Sequence, residues 1–325
     1  YLTFPRKFSF HTSGTRMYWG IRGLVDRIKK DFDFDLIHAH VALPDGYAAH
    51  RLARRLGKPF IVSIHGQDLQ VTVNVGDIYV EKLDQVFEAA SVVHVVSNKL
   101  KNIANEILGY KNKIKVIPNG VEKSSILEKE EVNASAKLLD KSNITILSVS
   151  SLKLSKGIDL NILAVSRLLD EFPGLNYRIV GKGSQLRELK ELIRKKKISD
   201  SVEFLGRLSH DSVIEEMQKA DIFALPSWEE GFGVVYLEAM SQAKPVVGCR
   251  GEGVEDFVEH EETGLLVEPK DVNSLLDAIR YLINNPDKAA EMGKRAREVV
   301  SENYTWQKNA EKTISLYEGV LDEQS

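Results

Sequence analysis

Residues 226–240 read Pro226-Ser227-Trp228-Glu229-Glu230-Gly231-Phe232-Gly233-Val234-Val235-Tyr236-Leu237-Glu238-Ala239-Met240. The apolar run before them, 222–225, has strand character. Gly231 and Gly233 make a turn, and a helical pattern begins near Gly233. A strand that passes through a glycine-rich turn into a helix is the repeating unit of a doubly wound α/β sheet. Amides at such a helix N-terminus point outward, and glycines let a ligand approach the backbone, which suits a diphosphate. Glu230 stands just before that anion site, and Glu238 lies more than one turn into the helix. The two carboxylates therefore meet different parts of one elongated ligand. Each can accept two hydrogen bonds from vicinal hydroxyls, as a sugar and a ribose offer. A lone Glu238 reads as a solvated helix face; turn, glycines and two carboxylates together read as a site.

The same grammar extends in both directions. Strand patterns at 144–148, 177–180, 202–205, 245–248 and 264–267 alternate with helical patterns at 158–171, 186–196, 211–219, 274–283 and 288–300. A terminal helix follows at 306–321. Upstream, strands at 34–40, 59–64, 92–96 and 114–117 enclose helices at 47–56 and 99–108. Such alternation predicts parallel sheets covered by helices. Pro118-Asn119-Gly120 is a turn, because Pro fixes φ and Asn-Gly supplies left-handed conformations. The polar stretch 122–142 reads as a connection with a short helix. Two Rossmann-like α/β domains facing across a cleft are expected, residues 1–122 and 123–305. Residues 306–325 are expected as a helix packing back on the first.

Composition agrees with this and excludes other classes. The chain has 325 residues, 43% hydrophobic and 28% charged, which rules out collagen-like, low-complexity and disulfide-scaffold proteins. Its single cysteine, Cys249, follows a buried-looking strand and offers neither an internal disulfide nor a Cys-based metal site. A reducing, cytoplasmic setting is expected, and no apolar stretch approaches the ~18 residues that span a bilayer. Residues 1–122 carry 17 Lys+Arg against 12 Asp+Glu, whereas the whole chain has a net charge of -3. A nucleic-acid protein would show a stronger basic stripe with interleaved aromatics, so no nucleic-acid partner is expected. Arg51, Arg54 and Arg55 share a basic helical face. A solvated helix is its first reading, and peripheral contact of the N-terminal domain with a membrane's inner face is its second.

The segment EGFGVVYLEAM (230–240) resembles the signature of the retaining glycosyltransferases of family four, the glycosyl transferases group 1, with the GT-B fold. Further matches follow in order: HAHVALPDG (38–46), SIHGQDL (63–69), VIPNGVE (116–122), SVSSLKLSKGID (148–159), IVGKG (179–183), VEFLGRL (202–208), KPVVGCRGEGVEDFV (244–258) and TGLLV (263–267). The resemblance covers residue 34 to the end. It implies an acceptor-side first domain and a second domain that binds a nucleoside-diphosphate sugar. Glu230 would bind donor-sugar hydroxyls with the amides of Gly231, Phe232 and Gly233, at the helix start that includes Val234. Glu238 would bind the ribose, Lys156 would neutralise the diphosphate, and the backbone of Gly206, Arg207 and Leu208 would cradle the base. From the first domain, His65 would approach the reacting sugar, with Asp68 and His40 as lesser acceptor-side candidates. No metal and no cofactor beyond the donor are implied. The acceptor would be a glycan, a lipid-linked sugar or a small molecule, and the anomeric configuration would be retained.

Two departures from the family pattern stand out. An arginine usual five residues before Lys156 is Ser151 here, and a charge-assisted hydrogen bond is worth about 1.5–3 kcal/mol. Lys153 or Arg250 would have to substitute. The opening strand or strands of the first domain are also missing from the pattern, and Tyr1 to Arg6 does not read as one. One or two β–α units would bring the complete enzyme to ~380 residues. Three other readings remain open beside the transferase: a glycan phosphorylase, a non-catalytic or truncated nucleotide-binding chain, and a dinucleotide oxidoreductase. The last fits poorly, because Gly181-Lys182-Gly183 lacks the third glycine of its fingerprint. Asp31-Phe32-Asp33-Phe34-Asp35 reads as a strand lead-in rather than a cation site. His38 and His40 share a strand face without an evident third metal ligand.

Overall fold

The computed structural model describes residues 12–110, 112–129 and 140–323. Residues 1–6 and much of the polar connection therefore lie outside the described residues. The chain divides into two compact units, Tyr1–Pro118 with Asn309–Ser325, and Asn119–Lys308. The first crossing falls at residue 118 rather than 122, for a local reason. Val121 bridges to Thr305; its amide donates to Tyr304 O at 2.9 Å, and its carbonyl accepts from Trp306 N at 3.1 Å. Those bonds tie 119–122 to the second unit. Asn309 Nδ2 in turn donates to Pro118 O at 2.8 Å, inside the first.

In the first unit, α1 (Ser13–Asp31) precedes β1 (Ile37–His40), α2 (Tyr47–Leu56), β2 (Phe60–Ile64), α3 (Asp77–Ala89), β3 (Val92–Val95), α4 (Asn98–Leu108) and β4 (Ile114–Val116). The strands are parallel in the order β1-β2-β3-β4. All of β2 is buried, which is why Phe60, Ile61, Val62 and Ile64 are apolar without alternation and the one polar residue, Ser63, is hydrogen-bonded. Helix α1, unforeseen in the sequence, packs Tyr18, Met17, Ile21 and Val25 against Ala48 and Leu52 of α2. Helix α3 was also overlooked, although Tyr79, Leu83, Val86 and Phe87 carry a helical repeat and are buried. The run Asp31–Asp35 closes α1 and leads, through a bend at Asp35, into β1, which begins at Ile37 rather than at 34. Phe32 is 67% exposed, and Lys58 stands 3.6 Å from Asp33 and 3.8 Å from Asp35.

The second unit runs β5 (Ile144–Val149), α5 (Ile158–Leu168), β6 (Leu175–Val180), α6 (Leu186–Lys196), β7 (Val202–Gly206), α7 (His210–Lys219) and β8 (Ile222–Ala224). It continues with α8 (Val234–Ser241), β9 (Val246–Cys249), β10 (Gly264–Val267), α9 (Val272–Asn284) and α10 (Pro286–Asn303). Helix α11 (Trp306–Asp322) then leads from the second unit into the first. The sheet is parallel in the order β10-β9-β8-β5-β6-β7. Strand order therefore reverses between β5 and β8, and the crevice beyond the carboxyl ends at such a switch point is where α/β sheets bind ligands. A buried Asn161 on α5 fastens this junction, donating to Ala224 O at 2.9 Å and Ser148 Oγ at 3.1 Å. Cys249 is buried. Among the described residues, no helix is long and apolar enough to cross a membrane.

Candidate functional site

The loops that leave β5 and β8 meet at the switch point. Lys156 ends a tight turn, Leu154–Lys156, and Gly157 follows with φ 66. A Cβ at Gly157 would fall 2.4 Å from Pro226 O, so only glycine lets the two loops touch. Trp228 N donates to Ser155 O at 2.9 Å across the same contact. The result is an ion pair, Lys156 Nζ to Glu230 Oε2 at 2.7 Å, with side chains 18% and 16% exposed. The Glu230 peptide is clamped by the loop after β9. Its N–H donates to Glu252 Oε2 at 2.6 Å, and its carbonyl accepts from Gly253 N at 3.2 Å. Sequence reading gave Glu252 no role, although it lies in a quoted motif.

Helix α8 starts directly beyond Glu230. Gly233 precedes it at φ 95, where a Cβ would meet the Tyr236 ring at 2.7 Å and Glu230 Cγ at 3.2 Å. Gly233 has no side chain with which to cap α8, and Gly231, Phe232 and Gly233 are buried while Val234 is half-buried. Tyr236 anchors the first turn by donating its hydroxyl to Leu225 O. Burial holds that phenol well above its usual pKa, so it stays a donor.

Glu238, one turn further, accepts from His210 Nε2 at 3.2 Å; the side chains are 17% and 57% exposed respectively. His210 opens α7, separated from the loop Gly206-Arg207-Leu208 by Ser209 alone. Gly206 O accepts from Gly181 N at 2.7 Å, which brings the Gly181-Lys182-Gly183 turn beside that loop. Arg207 is exposed and Leu208 half-buried. The structure thus groups Lys156 with Glu230 at the start of α8, and Glu238 with the 206–210 loop at its middle. Ser151 and Lys153 are both exposed, and Arg250 pairs with Glu268 at 3.4 Å. His210 was missed, although it follows the quoted VEFLGRL by two residues.

The first unit carries a second cluster, around the carboxyl ends of β1–β3. His65 Nε2 lies 3.1 Å from His40 Nδ1, and the His38 and His40 rings stack at 4.6 Å. Behind them runs a hydrogen-bonded chain whose direction follows from its foot when the imidazoles are neutral. Ile117 O only accepts, so His94 Nε2 donates to it at 2.8 Å. His94 Nδ1 then accepts from Ser63 Oγ at 2.5 Å, Ser63 accepts from His38 Nε2 at 2.7 Å, and His38 Nδ1 accepts from Tyr317 at 2.6 Å. That direction is the one two neutral imidazoles take, and burial favours the neutral form. Burial accordingly lowers His38 and His94 to about 4, and lowers His65 as well. Both ring nitrogens of His38 are thus engaged, which removes it as a metal ligand in this arrangement. Asp68, 2% exposed, accepts from Leu43 N at 3.4 Å, and burial raises its carboxyl to about 6.

Residues 129–299 match the family Glycosyl transferases group 1, and residues 2–125 match Glycosyltransferase Family 4. An uncharacterized glycosyltransferase of Methanocaldococcus jannaschii is 30% identical over 289 residues, covering 89% of this chain and 76% of that protein. The chain belongs to the glycosyl transferases group 1. This group 1 transferase is also 27% identical over 292 residues to the N-acetyl-alpha-D-glucosaminyl L-malate synthase of Bacillus anthracis, covering 89% of the chain and 74% of the synthase. Its fold matches Anabaena HepE, solved in complex with UDP, at a TM-score of 0.78 and 21% identity, over 92% of this chain and 82% of that one. Two parallel α/β units and this likeness make the glycosyltransferase a GT-B protein.

Proposed function

We propose that this glycosyltransferase moves a sugar, with retention and without a metal ion, from a nucleoside-diphosphate sugar to a glycan, lipid-linked or small-molecule acceptor. The Lys156–Glu230 pair at the start of α8 carries the reading. It sets a cation and a hydroxyl acceptor side by side at a helix N-terminus opened by glycine, the combination that a sugar diphosphate needs. Anabaena HepE, described in complexes with UDP and with UDP-glucose, supports a donor of this class.

Cleavage of the sugar–diphosphate bond builds negative charge on the leaving phosphate and positive character on the anomeric carbon. Lys156 and the amides of Gly231, Phe232, Gly233 and Val234 stabilise the phosphate, which is electrostatic catalysis by preset charges. Glu230 orients the sugar hydroxyls, Glu238 accepts from the ribose, and the backbone at Gly206, Arg207 and Leu208 receives the base. His65, in the first unit, is assigned to the reacting sugar by the family resemblance alone. With Glu230 held by Lys156, we favour front-face attack: the acceptor oxygen bonds to the anomeric carbon as the phosphate leaves, and that phosphate takes the acceptor's proton. The basic face of α2 favours the solvated reading over a membrane. Arg55 pairs with Asp26 at 2.7 Å, and Arg51 lies over the Tyr18 ring at 4.7 Å. A donor screen, with mass spectrometry of products on lipid-linked and free-sugar acceptors, tests the proposal. Failure of every nucleoside diphosphate to bind in calorimetry would sink it.

A further inference from the structure

We infer that His210 is a positioning residue for the nucleotide ribose and acts through Glu238, an inference that rests on the donor reading above. An ionised carboxylate only accepts, so the contact at 3.2 Å requires the proton on His210 Nε2 and points it at Glu238 Oε1. That occupies one side of Oε1. Oε2 and the remaining lone pair are left to accept from two neighbouring hydroxyls, the pattern of a ribose diol. Unheld, a glutamate on a helix samples several rotamers, and freezing it on binding weakens the complex. His210 removes that freedom beforehand.

The backbone around His210 is itself fixed. Ser209 caps α7 by accepting from Ser212 N at 3.3 Å, which sets His210 as the first helical residue. The same loop holds Gly206, whose carbonyl is tied to Gly181 N at 2.7 Å. The segment proposed to cradle the base and the segment that aims the ribose carboxylate are therefore one continuous turn, Gly206 to His210. A base and a ribose one bond apart need such a coupling. The competing account is an ordinary surface ion pair, which contributes little to anything.

The test measures binding of several nucleoside diphosphates by calorimetry, then of the 2′-deoxy analogue of the best binder. Proteins compared are wild type, His210→Ala, His210→Gln, Glu238→Ala and the Ala double variant. His210 is largely exposed, so these changes leave the fold intact, and circular dichroism checks that. His210→Ala is expected to weaken the ribonucleotide about twofold to tenfold, the cost of one unfixed side chain. The deoxy analogue should be weakened less. Gln, which keeps an N–H donor at similar reach, should restore binding, and in the Glu238→Ala background His210→Ala should add nothing. Equal losses for both nucleotides, additivity with Glu238→Ala, or wild-type binding by His210→Ala would overturn the inference alone. No binding by the wild type would overturn the donor reading and the inference with it.

Discussion

Lys156 Nζ stands 2.7 Å from Glu230 Oε2, and neither side chain is more than a fifth exposed. Attraction at that depth is only mildly screened, so each partner depends on the other. Removing the cation leaves a carboxylate in a half-dry pocket, whereas removing both charges leaves no such penalty. Lys156→Ala should therefore cost about 1–3 kcal/mol of stability, below the value for a fully buried pair. The double variant with Glu230→Gln should regain most of it. Urea midpoints of the two variants decide the matter: equal midpoints mean the pair contributes little. Transfer should stay abolished in both, because the proposed chemistry needs the cation.

The two glutamates on either side of Gly233 should separate kinetically. Glu230→Ala is expected to abolish transfer while largely sparing affinity for a nucleoside diphosphate, since its proposed partners are sugar hydroxyls. Glu238→Ala should weaken nucleotide binding itself, by at least tenfold if two charge-assisted bonds to a ribose are lost. Calorimetry with the nucleoside diphosphate, set beside initial rates, gives both numbers. Wild-type behaviour by both variants would show that the site lies elsewhere.

What could be read in advance tracks how local the causes are. The turn at 231–233, its helix and both carboxylates lie within twelve consecutive residues, 230–241, so spacing alone exposed them. Lys156 came only through a family resemblance, and its contact with Glu230 depends on Gly157 lying against Pro226. His210 was adjacent to a quoted motif, but its partner is 28 positions away. The histidine chain could not be seen at all. His38 and Tyr317 are separated by 279 positions, and no periodicity links a strand to a helix across that distance. Helices α1 and α3 were missed for a lesser reason: their polar faces outweigh short apolar stripes. The first crossing between units shifted to residue 118 because a bridge between Val121 and Thr305 claims the residues after it.

Acid and base titrations in the first unit oppose one another. His38 and His94 fall from 6.5 to about 4 on folding, so the stability they contribute is complete above pH 6.5 and is lost as pH falls toward 4. Each accounts for at most ~3 kcal/mol, and His38, being less deeply buried, for less. Asp68 rises from 3.8 to about 6, so its ionisation destabilises the fold as pH climbs through that range. Asp68→Asn removes only the second effect. Its urea midpoint relative to wild type should therefore climb between pH 4 and 6 and level off above. A difference that is flat with pH would mean that Asp68 titrates normally.

The chain Tyr317–His38–Ser63–His94–Ile117 should behave as one unit. Tyr317 donates at its head from α11, and Ile117 O accepts at its foot. Tyr317→Phe deletes the donor and leaves His38 Nδ1 unsatisfied, at a cost of about 1–3 kcal/mol. Ser63→Ala breaks the chain at its buried middle, where both neighbouring imidazoles lose a partner, and should cost more. Once Ser63 is gone, nothing fixes the His38 ring from its Nε2 side, so the Tyr317 hydroxyl faces a less ordered partner and matters less. The double variant should then fall short of the sum of the singles by at least 0.5 kcal/mol, the threshold for coupled neighbours. Equilibrium unfolding of the four proteins at pH 7 measures that coupling. Strict additivity would show that Tyr317 and Ser63 hold His38 independently, and that the chain transmits nothing from α11 to the sheet.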